Sequence, residues 1–137
     1  MIGAQNTALI TPLEPSQEGG LISPNPGKKY DSGRTPLYQG LRQYFPNALT
    51  AVANVSKYGL DKYSLVYSDV NWLRVPDGYN RYSDALERHL NGEFVDVDGL
   101  DPESGFHHAA QVAWNALARL ELLIRNGKAK TTRIVKT

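Results

Sequence analysis

The chain has 137 residues, which suits one domain and is too short for two comfortable ones. Its 15 lysines and arginines nearly balance its 14 acids, so the net charge of +1 predicts no strong binding to nucleic acid. The absence of cysteine excludes disulfides, thiolate metal sites and a thiol nucleophile. Without a long apolar run or a signal-peptide pattern, we expect a cytoplasmic protein with no membrane contact.

The two ends of the chain differ in composition from the middle. The first 36 residues hold five of the eight prolines and five of the twelve glycines, which disfavours a helix or a central strand. We interpret residues 1–27 as an extended N-terminal arm and residues 28–127 as the globular domain. Residues 128–137 carry four cations and no acid, and we interpret them as a basic C-terminal tail.

Three helices are predicted in the domain, and no strand. The first covers residues 46–58, with Pro46 in its first turn and Gly59 as its stop. The residues from 59 to 78 favour an aromatic-rich loop, although 65–70 could form a short strand. The second helix covers residues 80–90 and stops near Gly92, since apolar and polar residues separate onto two sides at helical spacing.

The third helix is the clearest element of the sequence. Asp101 is a good N-cap, and Gly127 follows the last turn. Its apolar residues form a broad stripe, and Val112, Trp114 and Leu122 extend beyond it. Because a helical region of this size buries little core, we expect an all-α bundle completed by homo-oligomerisation, as a dimer or tetramer.

Acidic residues concentrate around the second helix and the start of the third. Seven of the fourteen acids lie from Asp84 to Glu103 with one cation, Arg88, so this segment has a net charge of −6. Oxygen ligands of this kind suit Mg²⁺ or Mn²⁺. The alternative is a solvated acidic loop with ordinary caps and surface pairs. A calcium loop is excluded because Gly99 comes too early in the pattern.

The three histidines lie in the second and third predicted helices. His89 is on the apolar side of its helix, where a hydrogen-bonded core histidine is the usual finding. His108 belongs to a polar ridge with Ser104, Gln111 and Asn115, which is unexpected on a helix that only packs. The sequence has no His-Asp pair, phosphate loop, zincin helix or nucleophile elbow, so those hydrolase classes are excluded.

The order of several motifs from residue 29 to about 123 resembles phage dATP/dGTP diphosphohydrolases, the MazZ type of MazG-like enzyme. DSGRTPL at residues 31–37 looks like the first motif. The further motifs are YGxxKY at 58–63 with Asn71 and Trp72, YxDALxRHL with GE at 82–93, and DPESGxxH at 101–108 with Asn115. The resemblance implies an all-α MazG-like fold, oligomers, Mg²⁺ or Mn²⁺, and hydrolysis of dGTP or dATP with release of pyrophosphate. It also implies that the dGMP supplies 2-aminoadenine nucleotide synthesis in a phage, and hence a location in the host cytoplasm.

Residue roles follow from the resemblance together with the chemistry. The expected metal ligands are carboxylates: Asp84, Asp101 and Glu103, then Glu87 and Glu93. The expected catalytic residues are Glu103, His108 and Arg88. The expected substrate-binding residues are Lys62, Tyr63, Asn71, Trp72, Arg88, His89 and Asn115. Two alternatives stay open: a pyrophosphohydrolase of another nucleotide, and a non-enzymatic helical phage protein that binds DNA or a partner.

Overall fold

The computed structural model describes residues 25–135. The chain divides into two units between Thr35 and Pro36. In the first unit, the described residues form one turn, in which the N–H of Arg34 donates to the carbonyl oxygen of Asp31 over 3.1 Å. The expected arm of residues 1–27 lies outside the described residues except for its last three.

The second unit contains three α-helices of 18 residues each: α1 (Pro46–Tyr63), α2 (Gly78–Val95) and α3 (His108–Arg125). Residues 25–135 contain no β-strand, which confirms the all-α prediction and the loop between the first two helices. Shorter helical turns connect these elements. They are a π-helical turn at Tyr38–Arg42 and 3-10 turns at Tyr67–Asp69, Asn71–Arg74 and Val97–Gly99.

The first two helices extend further than predicted. Helix α1 continues through Gly59 and ends at Ser64, which adopts the left-handed conformation at φ 53° and ψ 45°. Helix α2 continues through Gly92 to Val95. A glycine ends a helix when it takes a positive φ, and neither Gly59 nor Gly92 does so. The predicted stops at these two glycines are therefore wrong.

The third helix begins later than predicted, at His108 instead of Asp101. Residues 101–106 form a separate turn, in which the N–H of Asp101 donates to Phe106 and the N–H of Gly105 donates to Asp101, each over 2.8 Å. Gly105 has a φ of +76°, which no helix continues through. The ring Nδ1 of His107 caps α3 by accepting the N–H of Ala109 over 3.0 Å.

Two glycines allow α2 and its connection to approach the start of α3 closely. A Cβ atom on Gly92 would lie 2.5 Å from the imidazole of His108, and a Cβ on Gly99 would lie 2.5 Å from that of His107. Both distances are too short for a real side chain, so His108 occupies the space that any other residue at 92 would fill. His108 is only 4% exposed.

An aromatic cluster joins the Asn71–Arg74 turn to the helices. Trp72, Tyr82 and Trp114 meet edge to face, with ring centroids 5.5 to 6.3 Å apart. The Tyr82 hydroxyl donates to the carbonyl of Trp72 over 2.7 Å, and the Trp114 indole donates to Ser56 of α1 over 2.8 Å. Burial raises the pKa of the Tyr82 hydroxyl. The cluster therefore fixes the turn against all three helices.

The described part of the chain has a thin apolar core. Val55 and Ala118 are its buried apolar side chains. On α3, Leu117 is 53% exposed and Leu120 is 49% exposed. Val112, Trp114 and Leu122, which were expected to need cover from another subunit, are already half-buried. Among residues 25–135, no helix is long and apolar enough to cross a bilayer.

We predict opposite effects from adding one methyl group to the two interior helix glycines. Gly92→Ala places a methyl group against the His108 ring, and overpacking of this kind costs about 1–3 kcal/mol. Gly59→Ala is the matched control, since no heavy atom lies within 4 Å of the new Cβ. It should stabilise the protein by about 0.5–1 kcal/mol through helix propensity. Urea unfolding measures both, and equal stability of the two variants would contradict the close contact at Gly92.

We also predict that the protein is an obligate homo-oligomer in which a second copy covers part of the exposed apolar surface of α3. Leu117→Glu combined with Leu120→Glu should then shift the mass measured by light scattering to that of a monomer. The exposed surface of α2 offers a control, because Asp84→Lys with Glu87→Lys changes charge there without touching α3. A stable, active wild-type monomer at low micromolar concentration would refute this prediction.

Candidate functional site

A tight polar turn lies between α2 and α3, and Asp101 holds it together. Its carboxylate accepts hydrogen bonds from the Ser104 hydroxyl at 2.6 Å, the Ser104 N–H at 3.3 Å and the Glu103 N–H at 3.2 Å. Burial alone would raise the pKa of Asp101, but these hydrogen bonds and the nearby His89 hold it below its usual value. Asp101 is therefore ionised at neutral pH.

Lys62 brings a positive charge from the last turn of α1 to this polar turn. Its ammonium group forms an ion pair with the Glu103 carboxylate, and both side chains are substantially exposed. The hydrogen bond to Glu103 raises the pKa of Lys62. Tyr58 adds a second link, since its hydroxyl donates to the Glu103 carbonyl over 3.4 Å and its ring meets Phe106 edge to face at 5.8 Å.

Two histidines and an aspartate form a continuous hydrogen-bond chain where α2 meets α3. The Nδ1 atoms of His89 and His108 are 2.8 Å apart, and Nε2 of His108 is 2.6 Å from the Asp96 carboxylate. Burial lowers the pKa of His89, while the negative charges of Asp101 and Glu103 oppose this effect. The net effect favours the neutral form of His89.

The structure brings together five of the side chains selected from the sequence, from three separate segments. They are Lys62, His89, Asp101, Glu103 and His108. We refer to these five, with Asp96, as the junction site. Sequence reasoning missed Asp96 as a site residue because it ended the second helix near Gly92. Once α2 continues to Val95, Asp96 lies seven residues after His89, which places it on the same side two turns later.

Four expected residues of α2 make none of these hydrogen bonds or ion pairs, although the charge of Arg88 lowers the pKa of His89. Asp84, Glu87 and Arg88 are exposed, and none of their side chains forms a hydrogen bond or ion pair within residues 25–135. Asp84 and Arg88 in particular do not pair, although their spacing allows it. Glu93 is half-buried and likewise makes no hydrogen bond within the described part of the chain.

The remaining expected substrate residues have other surroundings. Trp72 packs in the aromatic cluster, and Asn71 begins the same 3-10 turn. Tyr63 is exposed beside Lys62, whose ammonium lies 5.6 Å from the ring centroid. Asn115 is buried in α3 and donates to the carbonyl of Gln111 over 2.8 Å. Gln111 reaches the polar turn through a 3.4 Å contact with the Ser104 hydroxyl.

The carboxylates do not form a metal cage within one chain. Among residues 25–135, no three histidine, aspartate or glutamate side chains are arranged to hold a metal ion. The Asp101 carboxylate already accepts a hydrogen bond from Ser104, and the Glu103 carboxylate forms an ion pair with Lys62. Mg²⁺ in nucleotide enzymes commonly takes only one or two carboxylates and fills its other positions with phosphate oxygens and water. Asp101 and Glu103 fit that smaller requirement in donor type, since both are carboxylates on one turn.

Comparison with known proteins identifies one family. The family model described as dATP/dGTP diphosphohydrolase, N-terminal, matches residues 24–133. The matched segment contains all three helices and every residue of the junction site. The searches of curated proteins and of solved structures gave no match.

We predict that Asp101→Ala destabilises the protein by about 1 kcal/mol at pH 7, as loss of a capping carboxylate usually does. Folding lowers the pKa of this carboxylate from its unfolded value of about 3.8. Its ionised form therefore stabilises the folded protein at any pH above 3.8, and this stabilisation is lost as the pH falls through the lower pKa of the folded protein. The difference in the free energy of unfolding between wild type and Asp101→Ala should therefore become smaller below about pH 4. Asp84→Ala, which loses no hydrogen bond, is the control. A difference that persists unchanged at acid pH would contradict the role assigned to the turn.

Proposed function

Because the chain belongs to the dATP/dGTP diphosphohydrolase family, we propose that it hydrolyses dGTP and dATP to the monophosphate and pyrophosphate. The family match over residues 24–133 is the observation that carries this proposal. In the reaction, the oxygen of water bonds to the α-phosphorus while the bond to the oxygen that bridges to the β-phosphorus breaks. Pyrophosphate leaves with that oxygen and its electron pair.

The junction site supports this chemistry through its charges. Lys62 is exposed and protonated, so it can pass from Glu103 to the phosphate oxygens of an incoming triphosphate. That exchange would release the Glu103 carboxylate next to Asp101. These two carboxylates would hold Mg²⁺ or Mn²⁺, which when bound neutralises phosphate charge and lowers the pKa of water. The ammonium group of Lys62 then stabilises the negative charge that develops as pyrophosphate leaves.

Direct attack by water fits the side chains of the site better than a covalent intermediate. The chain has no cysteine. The hydroxyl of Ser104 has no histidine as a hydrogen-bond partner and donates to Asp101, whose lowered pKa makes that carboxylate a weak base, so Ser104 is not activated as a nucleophile. Hydrolysis should therefore proceed in a single step, with pyrophosphate as the first product.

We propose a preference for dGTP and dATP over pyrimidine triphosphates, because the family's description names the two purine substrates. We rank dGTP before dATP on the motif resemblance alone. In a phage that replaces adenine with 2-aminoadenine, the dGMP formed would supply the synthesis of the modified nucleotide. A homo-oligomer is the expected active form, given the thin core of the single chain.

We predict that purified protein converts dGTP to dGMP and pyrophosphate with no dGDP, and only with Mg²⁺ or Mn²⁺ present. Anion-exchange chromatography of time courses separates these products, and excess chelator followed by added Mn²⁺ tests the metal requirement. A set of ribo- and deoxynucleoside triphosphates tests the preference. Accumulation of dGDP and orthophosphate before dGMP would contradict the position of cleavage, and full activity in chelator would contradict the metal.

We predict that Glu103→Gln lowers kcat by on the order of 100-fold or more, since it removes a charge from the metal and phosphate site while keeping the side chain's size. Glu121→Gln is the matched control, because Glu121 forms an exposed ion pair with Arg125 at 3.0 Å near the other end of α3. Circular dichroism should show both variants folded. Equal activity of the two variants would contradict a role for Glu103 in the reaction.

A further inference from the structure

The hydrogen-bond chain from Asp96 to His89 has one possible direction when both histidines are neutral. An ionised carboxylate only accepts hydrogen bonds, so Nε2 of His108, 2.6 Å from Asp96, must carry a hydrogen. In a neutral imidazole the other nitrogen is then an acceptor. Nδ1 of His108 therefore accepts from Nδ1 of His89 across 2.8 Å. This leaves Nε2 of His89 without a hydrogen and with its lone pair available.

The available nitrogen belongs to the more exposed of the two paired histidines. His89 is half-buried, while His108 is 4% exposed and has both ring nitrogens occupied. Within residues 25–135, the side chain of His89 makes no hydrogen bond other than that to His108. The negative charges of Asp101 and Glu103 raise the pKa of His89, against the larger effect of burial.

Packing alone does not account for this arrangement. Apolar side chains of similar volume usually stabilise a core at least as well as a buried polar chain. This protein has a thin core, yet it uses one of its most enclosed positions for His108 and requires a glycine at 92 to fit the ring. Two polar side chains lie within hydrogen-bond distance of His108, namely Asp96 and His89. The bond to Asp96 orients His108, and His108 in turn orients His89.

We propose that His89 is the catalytic base of the hydrolysis, and that His108 and Asp96 are positioning residues that keep its hydrogen on Nδ1. This inference rests on the proposed function. As the oxygen of water bonds to the α-phosphorus, a proton of that water passes to Nε2 of His89, and pyrophosphate leaves with the bridging oxygen and its electron pair. The imidazolium formed is stabilised through His108 by the Asp96 carboxylate, and it then loses its proton to solvent.

The position of the hydrogens is measurable without substrate. Long-range ¹H–¹⁵N correlation spectra of the full chain, labelled at histidine, report which ring nitrogen carries hydrogen. We expect His89 to be protonated on Nδ1 and His108 on Nε2 at neutral pH. Asp96→Ala should abolish this pattern, while Asp98→Asn, which changes a neighbouring exposed acid, should leave it intact. A wild-type His89 with its hydrogen on Nε2 would overturn the proposal.

Kinetics test the catalytic role separately. His89→Gln should lower kcat by about 10²- to 10⁴-fold, the usual contribution of a general base. Asp96→Ala should lower kcat by about 10- to 100-fold with little change in KM, as loss of an orienting partner usually does. Asp96→Asn should restore part of that loss, because its amide oxygen still accepts from His108. Asp98→Asn should behave as wild type.

The outcomes separate this proposal from the one on which it rests. If wild type hydrolyses no nucleoside triphosphate, the proposed function fails, and the base fails with it. If wild type is active and His89→Gln retains its kcat, only the catalytic base is overturned. If Asp96→Ala and Asp96→Asn lower activity equally, and in proportion to the fraction of folded protein, then Asp96 has only a structural role.

Discussion

Helices α2 and α3 meet where the bare backbone of Gly92 faces the imidazole of His108, and the rest of the junction site depends on that contact. Any side chain at 92 would collide with the ring, since a Cβ there would lie 2.5 Å away. His89 and Asp96 lie three residues before and four residues after Gly92, so both are on the same side of α2 as the glycine. The imidazole is thus held between them, 2.8 Å from one and 2.6 Å from the other.

The same contact determines where the acidic turn lies. With His108 fixed at the start of α3, the residues between the helices must reverse direction, and His107 packs on Gly99 as they do so. Asp101 then closes the turn by accepting from Ser104, which leaves Glu103 exposed beside the end of α1. Lys62 can reach Glu103 because α1 continues four residues beyond Gly59. Charges from two distant segments of the sequence, the end of α1 and the turn before α3, therefore meet at one place.

The sequence predicted the helical class and the approximate position of each helix, because proline, periodic apolar residues and acidic caps act locally. It failed at Gly59 and Gly92, where a glycine was taken for a stop signal although its real effect depends on φ or on a neighbour distant in sequence. For the same reason Asp96 was not selected as a site residue, because it lies on the same side as His89 only when the helix continues past Gly92. Asp101 was taken for a helix cap, and the positive φ of Gly105 makes it the cap of a separate turn. Lys62 and Glu103 were both selected, but their ion pair is a tertiary contact that no local pattern contains.

We expect the reacting phosphate to bind at the junction site, between Lys62 on one side and the imidazole of His89 on the other. A crystal structure of the protein with a dGTP analogue that carries a non-hydrolysable link between the α- and β-phosphorus, grown with Mn²⁺, tests this most directly. We expect the α-phosphate within hydrogen-bond reach of Lys62 and one water's distance from Nε2 of His89, with Glu103 displaced from its ion pair. A triphosphate bound on the outer surface of α2, against Asp84 and Glu87, with the junction of Lys62 and Glu103 unchanged, would contradict the account.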